Sequence, residues 1–536
     1  MSKNIKTVVI VGGGSSGWMT AAAFAKQLPH INVTLIESPQ IGTIGVGEST
    51  IGQINAFFRY LGLRDEDWMP HCNATYKTSI KFLNFRENPT TPPHVFHYPF
   101  GRFDFSDKPR MIMEWFIRKA NKPDLDPYSF SQFYHDSILM TDANKLYKNE
   151  DQKIRGFSFS TDTAYHMDAG LFGNYLRDNI CLPSGVNHLL EDVVDIKTNE
   201  NGEIDLIISD KGTTLKADLY IDCTGFKSLL LEQVMNVPFE SFGNTLLNDR
   251  AIATIIPYVD KEYEMECVTS CTAIESGWVW NIPLWNRIGT GYVYSSKFAT
   301  KQEAEIQFRN HLKSGNMRVP YQIERADQAV FKHIKIKHGT HTKSWEKNVV
   351  GIGLAMGFIE PLESTGLMLT HEGIIKLIHA LQMRNGKVTK YDIDSYNFAF
   401  YDQITQFKDF ISMHYALSMR DDTPYWKAVT ENITYSEAMN RYEPSVYNPY
   451  MVMASNTFHK KSYASEGSGI IYIAAGMGHN CVNKTHADYL SEVFREPDYN
   501  EKVWQIWEEH RDHIIDHLKT VPSHYEFLKN TIYKET

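Results

Sequence analysis

The segment Gly12-Gly13-Gly14-Ser15-Ser16-Gly17, entered from the apolar run Val8–Val11, has the residue types and spacing to hold a diphosphate. Gly12 permits a tight turn, Gly14 lets the backbone approach a pyrophosphate, and Gly17 lets the next helix pack closely on the strand. Glu37, at the end of a second apolar run Val33–Ile36, stands where an acid would hold a ribose hydroxyl. A second candidate is Glu363-Ser364-Thr365-Gly366, ahead of the helical Leu367–Gln382. Ser364 or Thr365 can cap that helix, whose first N–H groups make a natural anion site, and Pro361 and Gly366 fix the backbone beside the carboxylate. Two further sets carry less chemistry by pattern alone. The alternation of Tyr76–Leu83 predicts a strand with Lys77, Ser79 and Lys81 on one solvated face. Trp278 and Trp280, two apart, share one sheet face and serve either as core or as an indole wall.

These residues need scaffolding. Val8–Val11, the helix Trp18–Gln27 and Val33–Ile36 read as a strand, helix and strand unit that puts the glycine turn at a helix N-terminus. Gly42 to Thr50 is a glycine-punctuated loop with the look of a ligand strap. Arg86 to Asn149, rich in Pro, His and aromatic residues without a clean period, reads as an insertion rather than scaffold. Regular structure returns with the helix Asp168–Cys181, the strands Val193–Ile196 and Leu219–Cys223, and the sheet strands Ile252–Pro257, Gly277–Leu284 and Ile288–Tyr294. Val349–Phe358 is a further strand meeting glycines. Beyond Thr485, Val503, Trp507, Ile514 and Leu518 fall on one side of a helix, and His510, His513 and His517 on a solvated face rather than a metal site.

Composition narrows the function. A chain of 536 residues with 42% hydrophobic content buries a large core, and a net charge of −10 argues against nucleic acid as partner. Six scattered cysteines without a C-x-x-C pair suit a reduced compartment without structural zinc. The first apolar run stops at Gly12 and no stretch reaches the length of a membrane span, so the expectation is a cytoplasmic protein.

Taken together and in order, Gly12-x-Gly14-x-x-Gly17, Gly45-Val46-Gly47-Glu48-Ser49-Thr50, Asn73-Ala74-Thr75-Tyr76-Lys77, Gly277-Trp278-Val279-Trp280-Asn281-Ile282-Pro283 and Pro361-Leu362-Glu363-Ser364-Thr365-Gly366 resemble a flavin-dependent halogenase of the tryptophan-halogenase type. Tyr165–Asp168 and the stretch from Asp409 to Trp426 agree with it. The resemblance implies an α/β, Rossmann-like FAD-binding fold of the aromatic-monooxygenase type with a mostly helical substrate-binding region. The FAD module is expected over 1–85 and 156–400, the helical region over 86–155 and 401–536.

By the same resemblance, Lys77 is the catalytic lysine that holds hypohalous acid, and Glu363 the glutamate paired with it. Thr365 and Gly366 form the halide site. Trp278 and Trp280 are a wall between flavin and substrate, with His97 and Ser364 near the substrate pocket. FAD, used as FADH2 with O2, is held by Gly12, Gly14, Ser15, Ser16, Gly17, Glu37, Gly47, Glu48, Ser49, Thr50, Val193, Asp222, Gly353 and Met356; no metal is implied. The implied partners are a small aromatic substrate and a separate flavin reductase, with a homo-oligomer as an option. A flavin-dependent hydroxylase, which would not need Lys77 or Glu363, is the alternative; a non-catalytic flavin-binding protein is another. Members acting on free tryptophan carry a paired-tyrosine stretch followed by acid, aromatic and amide residues. The corresponding region here reads Tyr442-Glu443-Pro444-Ser445-Val446-Tyr447-Asn448-Pro449-Tyr450, so the expected substrate is another indole, phenol or electron-rich aromatic. Among halides, bromide or iodide should serve at least as well as chloride.

Overall fold

The computed structural model describes residues 3–40, 47–101, 109–315, 318, 323–431, 468–480, 482, 484–493 and 499–535. The loop residues 41–46 and the stretch Tyr442–Tyr450 lie outside the described residues. The chain divides into two discontinuous units: 1–74, 165–243 and 336–405 in the first, and 75–164, 244–335 and 406–536 in the second.

The first unit is built on a six-stranded sheet in the order 345–346, 349–351, 219–222, 7–11, 32–37, 187–190. Its strands are parallel apart from the hairpin of Trp345–Glu346 with Val349–Gly351. Thr7–Val11 is central and almost wholly buried, as a run of β-branched residues in a parallel sheet must be. The helix Ser15–Gln27 leaves from its C-terminal end, so the glycine turn opens at the edge where α/β sheets bind ligands. The neighbouring strand Leu219–Asp222 ends in a carboxylate used entirely inside the protein. Asp222 Oδ1 accepts from the N–H and hydroxyl of Thr224 at 3.0 and 2.6 Å, and Oδ2 from the N–H groups of Leu230 and Leu231 at 2.7 and 2.9 Å. Burial raises its pKa above the usual carboxylate value, and these bonds offset that only in part. Asp222→Ala should therefore cost roughly 3 kcal/mol, the scale of buried donors left unpaired, read as a lowered denaturant midpoint of the apoprotein.

The second unit joins the expected helices of 86–155 and 401–536 to a sheet expected mostly in the cofactor module. It holds a seven-stranded sheet in the order 332–335, 250–256, 288–294, 277–283, 268–274, 79–83, 95–99, antiparallel except where 268–274 runs beside 79–83. Residues 244–335, expected in the cofactor module, belong here. The stretch read as an insertion is scaffold: Val95–Pro99 is an edge strand, and Trp115, Phe116, Phe130, Phe133 and Tyr134 form a core with Tyr472, Trp504 and Trp507. Aromatic packing without period hides such a core from pattern reading. In the tail, the helix Tyr499–Leu518 buries Trp507, Ile514 and Leu518, while His510 bonds Asp136 at 2.8 Å and His517 bonds Tyr147 at 3.1 Å. Among the described residues no helix is long and apolar enough to cross a membrane.

Candidate functional site

In the first unit the glycine turn has the shape its spacing requires. Gly12 sits at φ +108°, and a Cβ there would lie 2.4 Å from the Cys223 carbonyl oxygen. A Cβ on Gly17 would lie 1.9 Å from the carbonyl oxygen of Gly12, so the helix can close on the turn only without one. At Gly14 nothing of the protein comes within 4 Å of that position. No side chain caps the helix that Gly14 starts. An uncapped helix N-terminus facing open space over close-packed glycines suits a diphosphate.

Glu37 closes one side. Its Oε1 accepts from His188 Nε2 at 2.7 Å, and its other oxygen lies 1.6 Å from the point a Cβ on Gly13 would take. His188, from the strand Asn187–Leu190, also meets Trp18 edge-on at 4.9 Å between ring centroids. Sequence reasoning missed His188, which sits on a short strand far from the glycine motif.

The strap's described end is tied down. Gly47 has φ +106°, and Glu48–Ser49 pairs antiparallel with His166–Met167. The Thr50 hydroxyl bonds the backbone N–H and carbonyl of Tyr165 at 2.8 and 3.0 Å. Burial pushes the Glu48 carboxyl up to about 7. A carboxyl raised in the fold keeps its full contribution to stability below its unfolded value near 4.5 and loses it as pH rises toward 7. Glu48→Gln should match the unmodified chain in thermal melts at pH 4.5 and melt higher than it at pH 8. Val193 begins a strand of a separate three-stranded sheet.

The second glycine segment meets the first. Gly353 has φ +68°, and a Cβ there would sit 2.9 Å from the Ser16 Cβ and 3.5 Å from the Thr370 hydroxyl. The buried Met356 offers its carbonyl to both the N–H and Nδ1 of His341. The long helix Gly366–Met383 is thereby brought beside the glycine turn. Its N-cap is Thr365, whose side chain makes no capping bond, contrary to expectation. Ser364 is buried at φ +58°, a left-handed conformation that non-glycine residues adopt at a cost and that recurs at functional turns. A Cβ on Gly366 would meet nothing within 4 Å, and Glu363 is 3% exposed. The helix start is thus open, uncapped and flanked by a buried glutamate.

In the second unit the lysines are not solvated. Lys77 is 0% exposed, with Nζ 5.2 Å from the ring centre of Phe100. The chain breaks its alternation at Thr78, whose hydroxyl meets that of Thr141 at 2.7 Å and whose N–H donates to Cys267. Beyond the break, Ser79 bonds His97 Nδ1 at 2.7 Å and Lys81 is ion-paired with Glu266. Single-strand periodicity could not foresee a kink made by contacts distant in sequence.

His97 lies between Phe96 and Tyr98, so it points to the opposite sheet face from them. Burial and the neighbouring Lys81 hold its pKa well below the usual value. The ring beside Lys77 is Phe100, followed by Tyr98 at 6.5 Å; Tyr98 in turn meets Phe410 and Tyr472, each at 6.3 Å. Trp280 pairs in register with Cys271, and Cys271 with Phe82, which places the two indoles on the face of Phe82, Phe96 and Tyr98. Trp278 is buried and Trp280 half-buried, with ring centres 6.2 Å apart and planes at 61°. The second unit therefore holds a buried lysine at the end of Thr75–Lys77 and, on the seven-stranded sheet, an aromatic surface with paired indoles. They suit an aromatic guest and an electrophile.

Comparison with known proteins agrees. Residues 7–484 match the family Tryptophan halogenase. The chain belongs to the tryptophan halogenase family. It is 33% identical over 443 residues to Tryptophan 6-halogenase ThaL of Streptomyces albogriseolus, covering 80% of each chain. With Tryptophan 7-halogenase RebH of Lentzea aerocolonigenes it shares 31% identity over 552 residues, 99% of each. The solved structure titled "VirX1 apo structure" is 44% identical and superposes with a TM-score of 0.89 over all of both chains. The family member described here is a flavin-dependent halogenase of an aromatic substrate, and the α/β FAD-binding fold is that of its solved relatives.

Proposed function

We propose that this halogenase takes reduced FAD from a separate flavin reductase and halogenates an indole or phenol other than free tryptophan, with Lys77 delivering hypohalous acid and Glu363 taking the ring proton. The observation that carries this reading is Lys77, an ammonium kept entirely from water beside Phe100, where a solvated lysine would have no reason to be.

The residues fit FAD. The open space at Gly14 over the close-packed Gly12 and Gly17 matches a pyrophosphate, and Glu37, oriented by His188, matches a ribose hydroxyl. Ser15, Ser16 and Gly353 border the same turn, and Met356 and the strap Gly47 to Thr50 are assigned to the cofactor with them. With O2, reduced FAD supplies the two-electron oxidation of halide to hypohalous acid. Backbone N–H groups at Thr365 and Gly366 hold the halide away from water, where it is a better nucleophile. Lys77 donates a hydrogen bond to the hypohalous oxygen, which aims the halogen and makes its oxygen a better leaving group. The arene forms a carbon–halogen bond while the oxygen–halogen bond breaks. The Lys77 ammonium gives its proton to the departing hydroxide, which leaves as water; the ring then loses its proton to the Glu363 carboxylate, and that proton returns to Lys77 through solvent. Trp278 and Trp280 keep the arene from the oxidising end.

Incubation with FAD, a flavin reductase, NADH, O2 and equal chloride, bromide and iodide, against a panel of indoles, phenols and free tryptophan, tests this by mass spectrometry. The expected result is halogen on an indole or phenol in preference to tryptophan, with bromide or iodide at least matching chloride. Added oxygen without halogen would favour the hydroxylase, and exclusive chlorination of tryptophan would refute the substrate reading.

A further inference from the structure

The two indoles stand on one sheet face yet are tilted 61° to each other, and their cross-strand neighbours differ. In register on Ile288–Tyr294, Trp278 faces Val293 and Trp280 faces Gly291. A β-branched residue opposite an indole occupies the space above the strand, whereas glycine leaves it empty. Trp280 uses that space: a Cβ on Gly291 would lie 2.2 Å from both Cζ2 and Cη2 of its benzo ring. The side chains directly flanking this pair in register are small, Cys271 opposite Trp280 and Ala253 opposite Gly291.

We infer that Gly291 is a positioning residue for the indole wall: it is the seat on which Trp280 lies down, and it sets the plane of that ring relative to Trp278. The inference rests on the reading of the two tryptophans as the barrier between oxidant and arene. Trp278, denied such a seat by Val293, is fixed by burial; Trp280, half-exposed, has its orientation set by what it lies on. A side chain at 291 would lift the benzo ring and open the barrier without touching Lys77 or the halide site.

The same Cβ would also come 2.5 Å from the backbone oxygen of Ile252, so glycine at 291 has a competing explanation in the sheet itself. A double-mutant cycle separates the two. Gly291→Ala, Trp280→Phe and the double variant, each as the full chain, are compared in thermal melts and in the circular-dichroism band of the coupled indoles, taken as the difference from Trp280→Phe. In turnover, the third readout is the ratio of halogenated substrate to halogenated soluble scavenger. If Trp280 is the obstacle, Gly291→Ala removes the coupled-indole band and lowers the substrate-to-scavenger ratio by about fivefold or more, yet adds little once position 280 is Phe. Should Gly291→Ala alone fail to fold while the double variant folds, the seat is equally supported. Equal losses in both backgrounds, failure of both to fold, or an unchanged coupled-indole band would overturn it and leave the Ile252 carbonyl as the reason for glycine. An unchanged ratio in Trp280→Phe would refute the wall itself, independently of the band.

Discussion

Lys77→Met is expected to lower halogenation of the substrate by about 10²- to 10⁴-fold, the range seen when a positioned proton donor is lost. The protein should still fold and bind FAD, because Lys77 belongs to the second unit and the glycine turn to the first. Oxidised halogen should still be made and should appear on an added scavenger. A variant with full activity on the substrate would take Lys77 out of the mechanism. One that lost FAD would mean that its effect is structural.

The second large effect is expected in the glycine turn, where neighbouring positions should fail in different ways. Gly17→Ala puts a methyl group 1.9 Å from a backbone oxygen that cannot step aside, so helix and turn must separate. Overpacking of this kind costs about 1–3 kcal/mol, and the displaced helix N-terminus should weaken FAD binding about a hundredfold, equivalent to roughly 2.7 kcal/mol. Gly14→Ala meets no protein atom within 4 Å, so its apoprotein should melt normally. It should nevertheless lose FAD comparably, because the methyl group enters the space assigned to the pyrophosphate. Flavin fluorescence titration and apoprotein melts of both variants test this, and normal FAD affinity in Gly14→Ala would move the cofactor elsewhere.

Much of the first unit was readable in advance because its signals are local. Gly12, Gly14 and Gly17 act through the backbone of one turn, Glu37 ends the adjacent strand, and Thr365–Gly366 start a helix. Asp222 shows the limit: the resemblance implied a cofactor contact there, but four internal donors claim the carboxylate. Partners such as His188, 151 residues from Glu37, leave no mark on local pattern.

The amino-acid order by itself determined the nucleotide turn, the helix start at Gly366 and the adjacency of the paired tryptophans on one strand face, because each depends on residues within a few positions of one another; that Thr365 leaves the helix without a side-chain cap did not follow from it. Only the tertiary structure decided that Lys77 is buried against Phe100, that His97 bonds Ser79, and that Trp280 rests on Gly291. Those depend on which strands become neighbours and where alternation breaks, as at Thr78, and long-range pairing settles both.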